Sequence, residues 1–165
     1  MTGADLATAL KTAMRGFAQS VTIITTTDDE GNRYAMAATA VTPLSMDPAS
    51  MLICVNHSVS SYKILEGGAN FAINILGVDQ EDVARCCAGA AKGEERFAVG
   101  NWQADENGLP YLADAQTSIS CHQRERISYG SHDIFIGDVQ AVRLAGTVDP
   151  LIYLDGAYRR IGPKL

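Results

Sequence analysis

Thr117-Ser118-Ile119-Ser120-Cys121-His122-Gln123-Arg124-Glu125-Arg126-Ile127-Ser128-Tyr129, then Gly130-Ser131, then His132-Asp133-Ile134-Phe135-Ile136-Gly137-Asp138-Val139-Gln140-Ala141-Val142-Arg143-Leu144 reads as two long strands around a short turn. In the second run Ile134, Ile136 and Asp138 share one face, and Phe135, Gly137 and Val139 the other. Outward from this hairpin, Ser20–Thr27 is rich in β-branched residues, Asp28–Asn32 supplies turn chemistry, and Arg33–Ala40 reads as the returning strand. Met51–Asn56 lacks polar alternation, which predicts a central strand covered on both faces; Phe71–Leu76 is a second buried strand. Leu151–Leu154 and Ala157–Ile161 close the chain as a short pairing.

Helical signals are fewer. Leu6, Leu10, Met14 and Phe17 give an opening helix one apolar face, with Thr2-x-x-Asp5 as its capping signal and an end near Phe17. His57–Gly67 reads as a short helix with a serine N-cap and glycine at C′. Asp79 to about Ala88 reads as another, with Val83 and Cys86 or Cys87 inward and Gly89 as its stop. Lys92–Gly108 is polar and suggests no element. Strands outnumber helices and few connections could hold a crossover helix, so the expected fold is mainly β, an antiparallel barrel with peripheral helices, in one domain over residues 1–165.

Composition narrows the function. At 165 residues, 47% hydrophobic and 19% charged, the chain can bury a single core without a disulfide scaffold, which argues against disorder or a coiled coil. No apolar run approaches the ~18 residues of a membrane span and no signal-peptide layout opens the chain, so a cytoplasmic address is expected. A net charge of −6 is the wrong sign for nucleic acid or an anionic membrane. Cys54, Cys86, Cys87 and Cys121 form no C-x-x-C pair and read as reduced thiols, Cys54 as a small hydrophobe.

Phosphate-loop, dinucleotide-loop, zincin and nucleophile-elbow motifs are absent. Ser131-His132-Asp133 cannot form a relay, because consecutive residues of an extended segment alternate faces. His57, His122 and His132 have no metal-ligand spacing. What remains is a hydroxyl-rich pair of segments: Thr39, Thr42 and Ser45 after one strand, and Asn56, Ser58, Ser60 and Ser61 at a helix start. The second set suits an anion, with Lys63 as a further contact, although caps without ligands are the commoner case. Tyr153 and Tyr158 read as packing residues.

Ala13-Met14-Arg15-x-Phe17-Ala18-x-x-Val21-Thr22-Ile23-Ile24-Thr25-Thr26, Met36-x-Ala38-Thr39-Ala40-Val41, Ser45-Met46-Asp47-Pro48, Cys54-Val55-Asn56-x-Ser58, Phe71–Leu76, Arg96-Phe97, Gly130-Ser131-His132-Asp133, Phe135-x-Gly137-x-Val139 and Leu151-Ile152-Tyr153 together resemble the short-chain flavin reductase family. These are the reductase partners of two-component flavin monooxygenases, with the FMN-binding split-barrel fold. The resemblance implies hydride transfer from NADH or NADPH to FMN or FAD, and delivery of reduced flavin to a separate oxygenase. It places Ala38, Thr39, Ala40, Val41 and Ser45 against the flavin ring and ribityl chain. Cys54, Val55, Asn56, Ser58, Ser60 and Ser61 fall around its phosphate, and His132 is the catalytic histidine at the nicotinamide. It also implies a homodimer.

The chain departs from the family pattern at Ala35-Met36-Ala37, where Gly-Met-Thr is usual, at Pro43, where Ser is common, and at Gly130-Ser131-His132, where Gly-Asp-His is usual. Two alternatives remain open at this point: a non-enzymatic flavin carrier or electron-transfer protein of the same fold, and a pyridoxamine-phosphate oxidase. The second would want a more basic pocket than Lys63 alone provides.

Overall fold

The structure is a computed structural model and describes residues 2–163. In chain order the elements are α1 (Gly3–Met14), β1 (Gln19–Ser20), β2 (Thr22–Thr27), β3 (Arg33–Ala38), β4 (Val41–Met46), β5 (Ala49–Asn56), α2 (Tyr62–Glu66), β6 (Phe71–Ile75), α3 (Glu81–Arg85), β7 (Trp102–Ala104), β8 (Pro110–Leu112), β9 (Thr117–Tyr129), β10 (His132–Leu144), β11 (Ile152–Leu154) and β12 (Ala157–Arg159). Seven strands form one antiparallel sheet in the order β3-β2-β6-β9-β10-β5-β4; β1-β11-β12 and β7-β8 make two small ones. The fold is mainly β, as expected. Among the described residues no helix is long and apolar enough to cross a membrane.

The β9–β10 hairpin runs through the middle of the large sheet and turns at Gly130, whose φ of +61° is one that glycine adopts without a Cβ clash. β10 packs tightly at Gly137, where a Cβ would meet Cys121 Cβ and Phe71 Cζ, each at 2.9 Å. On β2 neighbouring residues feed different cores. Ile23 joins Leu76, Val83, Phe97, Leu112 and Leu151, whereas Ile24 joins Met36, Ile53, Val55, Phe71 and Phe135. Residues from both edge regions of the sheet therefore share the second core, and the sheet curls around it. Asn74, fully buried on β6, is satisfied: its Oδ1 accepts from Leu112 N (2.8 Å) and Ser118 Oγ (2.7 Å), and its Nδ2 donates to Ile23 O (3.0 Å).

Several expectations change. Met51–Asn56 lies in β5, the second strand from one edge rather than the centre, which the β9–β10 hairpin occupies; Val41–Met46, which pattern reading missed, forms the edge strand beyond it. The helix expected over His57–Gly67 is only Tyr62–Glu66, and its N-cap Ser61 makes no side-chain capping bond. Ser61 is in the helical region (φ −75°, ψ −13°) rather than the extended one capping favours, and its Oγ donates to Met36 Sδ instead. Gly68 (φ +97°), not Gly67, takes the left-handed conformation. The helix expected from Asp79 to about Ala88 is α3, which ends at Arg85 and continues as a π-type turn over Cys86–Ala90, with Gly89 at φ +123° as the stop; Val83 and Cys87 face inward. The opening helix has its Thr2–Asp5 capping box but buries none of its residues.

Candidate functional site

The turn after β5 is built around one amide. Asn56 Oδ1 accepts from Ser58 N (2.8 Å) and Ser58 Oγ (2.7 Å), so Asn56 Nδ2 points the other way and lies 3.4 Å from His132 Nε2. Asn56 and His132 are direct partners in the β5–β10 register, and His57 N donates to Ser131 O at 3.0 Å. Ser131 Oγ sits 2.9 Å from His132 Nδ1, which suits the ring tautomer that carries its proton on Nδ1. Ser58 and Ser60 are exposed. Among the described residues nothing accepts from the amides of Ser60 and Ser61. Lys63 does not turn toward them: its Nζ is 2.7 Å from Glu66 Oε2.

Residues 38–41 lie beside this turn. Ala38 ends β3, its carbonyl accepting from Thr22 Oγ1 at 2.7 Å, and Thr39-Ala40 cross to β4. Cys54 N donates to Ala40 O at 3.0 Å, and Val41 pairs with Ile53. The segments read as one hydroxyl-rich pair are thus adjacent in space. Ser45 is farther along β4, its Oγ accepting from Asp47 N at 3.0 Å. Val55 and Ser61 are buried, so only their backbone can face a ligand. Cys54 is half-buried, and burial pushes its thiol pKa up.

Thr39 borders three crevices. One of about 220 Å³ is lined by Val21, Ala37, Ala38, Ala88, Tyr153 and Tyr158. A second, about 250 Å³, includes Thr22, Val41, Pro43, Met51 and Ile75. A third, about 360 Å³, runs between α1 and the β11–β12 hairpin. Tyr153 and Tyr158, read from sequence as packing residues, are a direct cross-strand pair with rings 5.5 Å apart at 65°. The signal that could have found them is their placement either side of the Asp155-Gly156 turn, which puts both on one face of a hairpin.

On the opposite face of β10 from His132, Asp133 is fully buried. Its Oδ1 accepts from His57 Nε2 (2.8 Å), its Oδ2 accepts from Tyr62 OH (3.0 Å), and Arg126 Nη1 is 3.6 Å away. Burial pushes this carboxyl's pKa up, but bonds from His57, Ser128 and Tyr62 outweigh it and hold the group below the usual range. Tyr62 is pushed up to about 12 by burial and by its bonds to Asp133 and Glu66. Glu66 is held down to about 2 by Lys63 and Arg126. Sequence reasoning rejected a Ser-His-Asp relay but missed the His57–Asp133 pair, which joins residues 76 positions apart.

Residues 14–162 match the family model described as flavin reductase like domain. The chain is 36% identical over 155 residues to the reductase component of FADH(2)-dependent resorcinol hydroxylase from Rhizobium sp. (strain MTP-10005), covering 93% of this chain and 86% of that one. It is 38% identical over 155 residues to FMN reductase (NADH) RutF of Methylorubrum populi, covering 94% and 76%. Among solved structures, the Streptomyces globisporus C-1027 NADH:FAD oxidoreductase SgcE6 superposes with a TM-score of 0.88 at 26% identity over 99% of this chain and 98% of that one. With this sequence match and this shared architecture, the chain belongs to the flavin reductase like domain family.

Proposed function

We propose that this chain is an NAD(P)H:flavin oxidoreductase that passes a hydride from NADH or NADPH to FMN or FAD and supplies the reduced flavin to a separate monooxygenase. The observation that carries this reading is the meeting of three segments: Asn56 lies across from His132, and Ala40 lies against Cys54, so one surface offers hydroxyls, open amides, a histidine and apolar crevices. Relatives named as NADH-dependent reductases favour turnover over a carrier that never meets nicotinamide.

The residues present fit a flavin phosphate and ring. Asn56, Ser58, Ser60 and the open amides of Ser60 and Ser61 would hold the phosphate; Cys54 and Val55 would line the way to Ala40. Ala38, Thr39, Ala40, Val41 and Ser45 would face the ring and ribityl chain, and His132 the nicotinamide. Bound there, the flavin supplies the hydride acceptor. The protein's own work is to hold two flat rings in register, which can contribute on the order of 10⁵–10⁸ M in effective molarity, or roughly 7–11 kcal/mol of barrier. Thr39 Oγ1 would hydrogen-bond the polar edge of the ring. With Lys63 and Arg126 both committed to Glu66, the phosphate is gripped by neutral donors, in keeping with a flavin that is released. An affinity near micromolar, about −8 kcal/mol, suits such a shuttled substrate.

The curled antiparallel sheet supports the split-barrel form, with residues 1–165 as one domain. A homodimer is supported by apolar groups left uncovered at Leu6, Leu10, Leu44 and Met46. A cytoplasmic setting follows from a need for reduced nicotinamide. The test mixes purified protein with NADH or NADPH and FMN, FAD or riboflavin, and follows loss of reduced-nicotinamide absorbance. No turnover with any pair would overturn the reading.

A further inference from the structure

We infer that His57 is a positioning residue for the flavin phosphate: its bond to buried Asp133 pins the turn at residues 56–61 onto β10, and the pinned turn is what tells a phosphorylated flavin from riboflavin. The inference deepens the flavin reductase reading and rests on it, since that reading places the phosphate at Asn56, Ser58 and Ser60. His57 acts through the turn and does not itself touch the ligand.

Asp133 is fully buried, and its two oxygens take the two ends of one short segment. Oδ1 accepts from His57 Nε2 at 2.8 Å and Oδ2 accepts from Tyr62 OH at 3.0 Å, so one fixed group holds the segment at its start and at its end. The His57 and Tyr62 rings also lie against each other, with centroids 4.6 Å apart at 41°. Between these posts come Ser58, Val59, Ser60 and Ser61. His57 adds a backbone link, its N–H donating to Ser131 O at 3.0 Å, beside His132. Ser61 contributes its bond to Met36 Sδ at 3.4 Å, and a thioether is a weak acceptor. Ser58 and Ser60 are exposed, and the side chain of Ser58 bonds within the turn, to Asn56. Take away His57 and, among the described residues, the packing of Val59 on the second core becomes the main hold on the turn.

Stability alone does not account for a carboxylate in this place. Taking Asp133 out of water costs about as much as its pairing returns, and a well-packed apolar pair of the same volume would hold the fold equally well. What the charged pair adds is direction. A bond to an ionised acceptor is short and weakens steeply as it bends, so the imidazole is fixed in place and angle, and the turn with it. A phosphate meets several donors of the turn at once, so a displaced turn loses several bonds together. The flavin ring, set by the same reading against residues 38–41, loses none.

The test follows binding of FMN and of riboflavin by quenching of flavin fluorescence. Wild-type protein should bind FMN about tenfold or more tightly than riboflavin. His57→Leu fills the space without a donor and should weaken FMN by about tenfold, the worth of one hydrogen bond to a charged group, and riboflavin by no more than about twofold. His57→Gln sets an amide N–H where Nε2–H was and should restore FMN affinity to within about threefold of wild type. Tyr62→Phe removes the hydroxyl that bonds Asp133 and Glu66 and keeps the ring; it should weaken FMN by about threefold and leave riboflavin unchanged. A fold that had merely loosened would lose both flavins together and would not be rescued by H57Q.

Equal affinity of the wild-type protein for FMN and riboflavin would overturn the inference, as would equal losses for the two flavins in H57L. H57Q binding FMN as weakly as H57L would overturn it too, because the imidazole itself would then be meeting the phosphate. Should H57L fail to fold, Y62F decides, and an unmoved ratio of FMN to riboflavin affinity sinks the inference. Oxidation of reduced nicotinamide is read separately. If wild-type protein oxidises none and yet its preference for FMN depends on His57, the flavin reductase reading fails and the role of His57 stands. If it turns over and the preference does not depend on His57, the reading stands and the role of His57 fails.

Discussion

His132 and Asp133 are consecutive on one strand and live in opposite surroundings. His132 is exposed, and among the described residues its ring meets Ser131 and Asn56; Asp133 is fully buried and held by His57 and Tyr62. The contrast extends along their faces. On Asp133's side, Phe135 and Gly137 are packed without slack; on His132's side, the hydroxyls of Ser58 and Ser60 are exposed and the amides of Ser60 and Ser61 have no acceptor among the described residues. On the proposed site's side polar groups are left unsaturated, and the face behind it is saturated, which holds those groups still.

The comparison breaks most sharply at the buried carboxylate. Asp133→Ala leaves His57, Tyr62 and Arg126 without their shared acceptor and should cost about 3–5 kcal/mol, read as a lower urea midpoint at unchanged m-value. An unshifted midpoint would mean that the network bears little of the fold. Gly137→Ala probes the same face without charge. Its methyl has no room beside Cys121 and Phe71, and a loss of about 1–3 kcal/mol is expected in the same measurement.

On the open face the outcome should invert, with stability kept and function lost. His132→Ala should leave the urea midpoint near that of wild type and FMN affinity within about twofold, while KM for NADH rises about tenfold, the worth of one hydrogen bond near 1.4 kcal/mol. Unchanged steady-state kinetics would remove His132 from the site.

The smallest effect is a pH dependence. Glu66 is pulled from 4.5 down to about 2 in the folded protein, mainly by Lys63 and then Arg126, so the stability it contributes is present above pH 4.5 and is lost as pH falls toward 2. Glu66→Gln should flatten the acid limb of midpoint against pH; an identical limb would assign it to other carboxylates.

Where local chemistry decides, the sequence was a good guide. The β9–β10 hairpin runs Thr117–Tyr129 and His132–Leu144 as read, and alternation correctly separated His132 from Asp133. The short helix after β5 was misjudged because serine count suggested a cap, whereas Met36, 25 residues away, decides where Ser61 donates. The same holds for Lys63, whose charge suggested an anion contact until Glu66, three residues on, claimed it.

The sequence alone determined the strand-rich class, the main hairpins, the helix stop at Gly89 and the two hydroxyl-rich segments, because each follows from backbone preference or side-chain period within a few residues. Tertiary structure decided that β4 occupies the sheet edge, that Ala40 lies against Cys54, that His57 pairs with Asp133, and that Phe17 and Tyr153 share a cleft. Those facts depend on strand register and on the curl of the sheet, which are set by the packing of many distant side chains at once and by no local pattern.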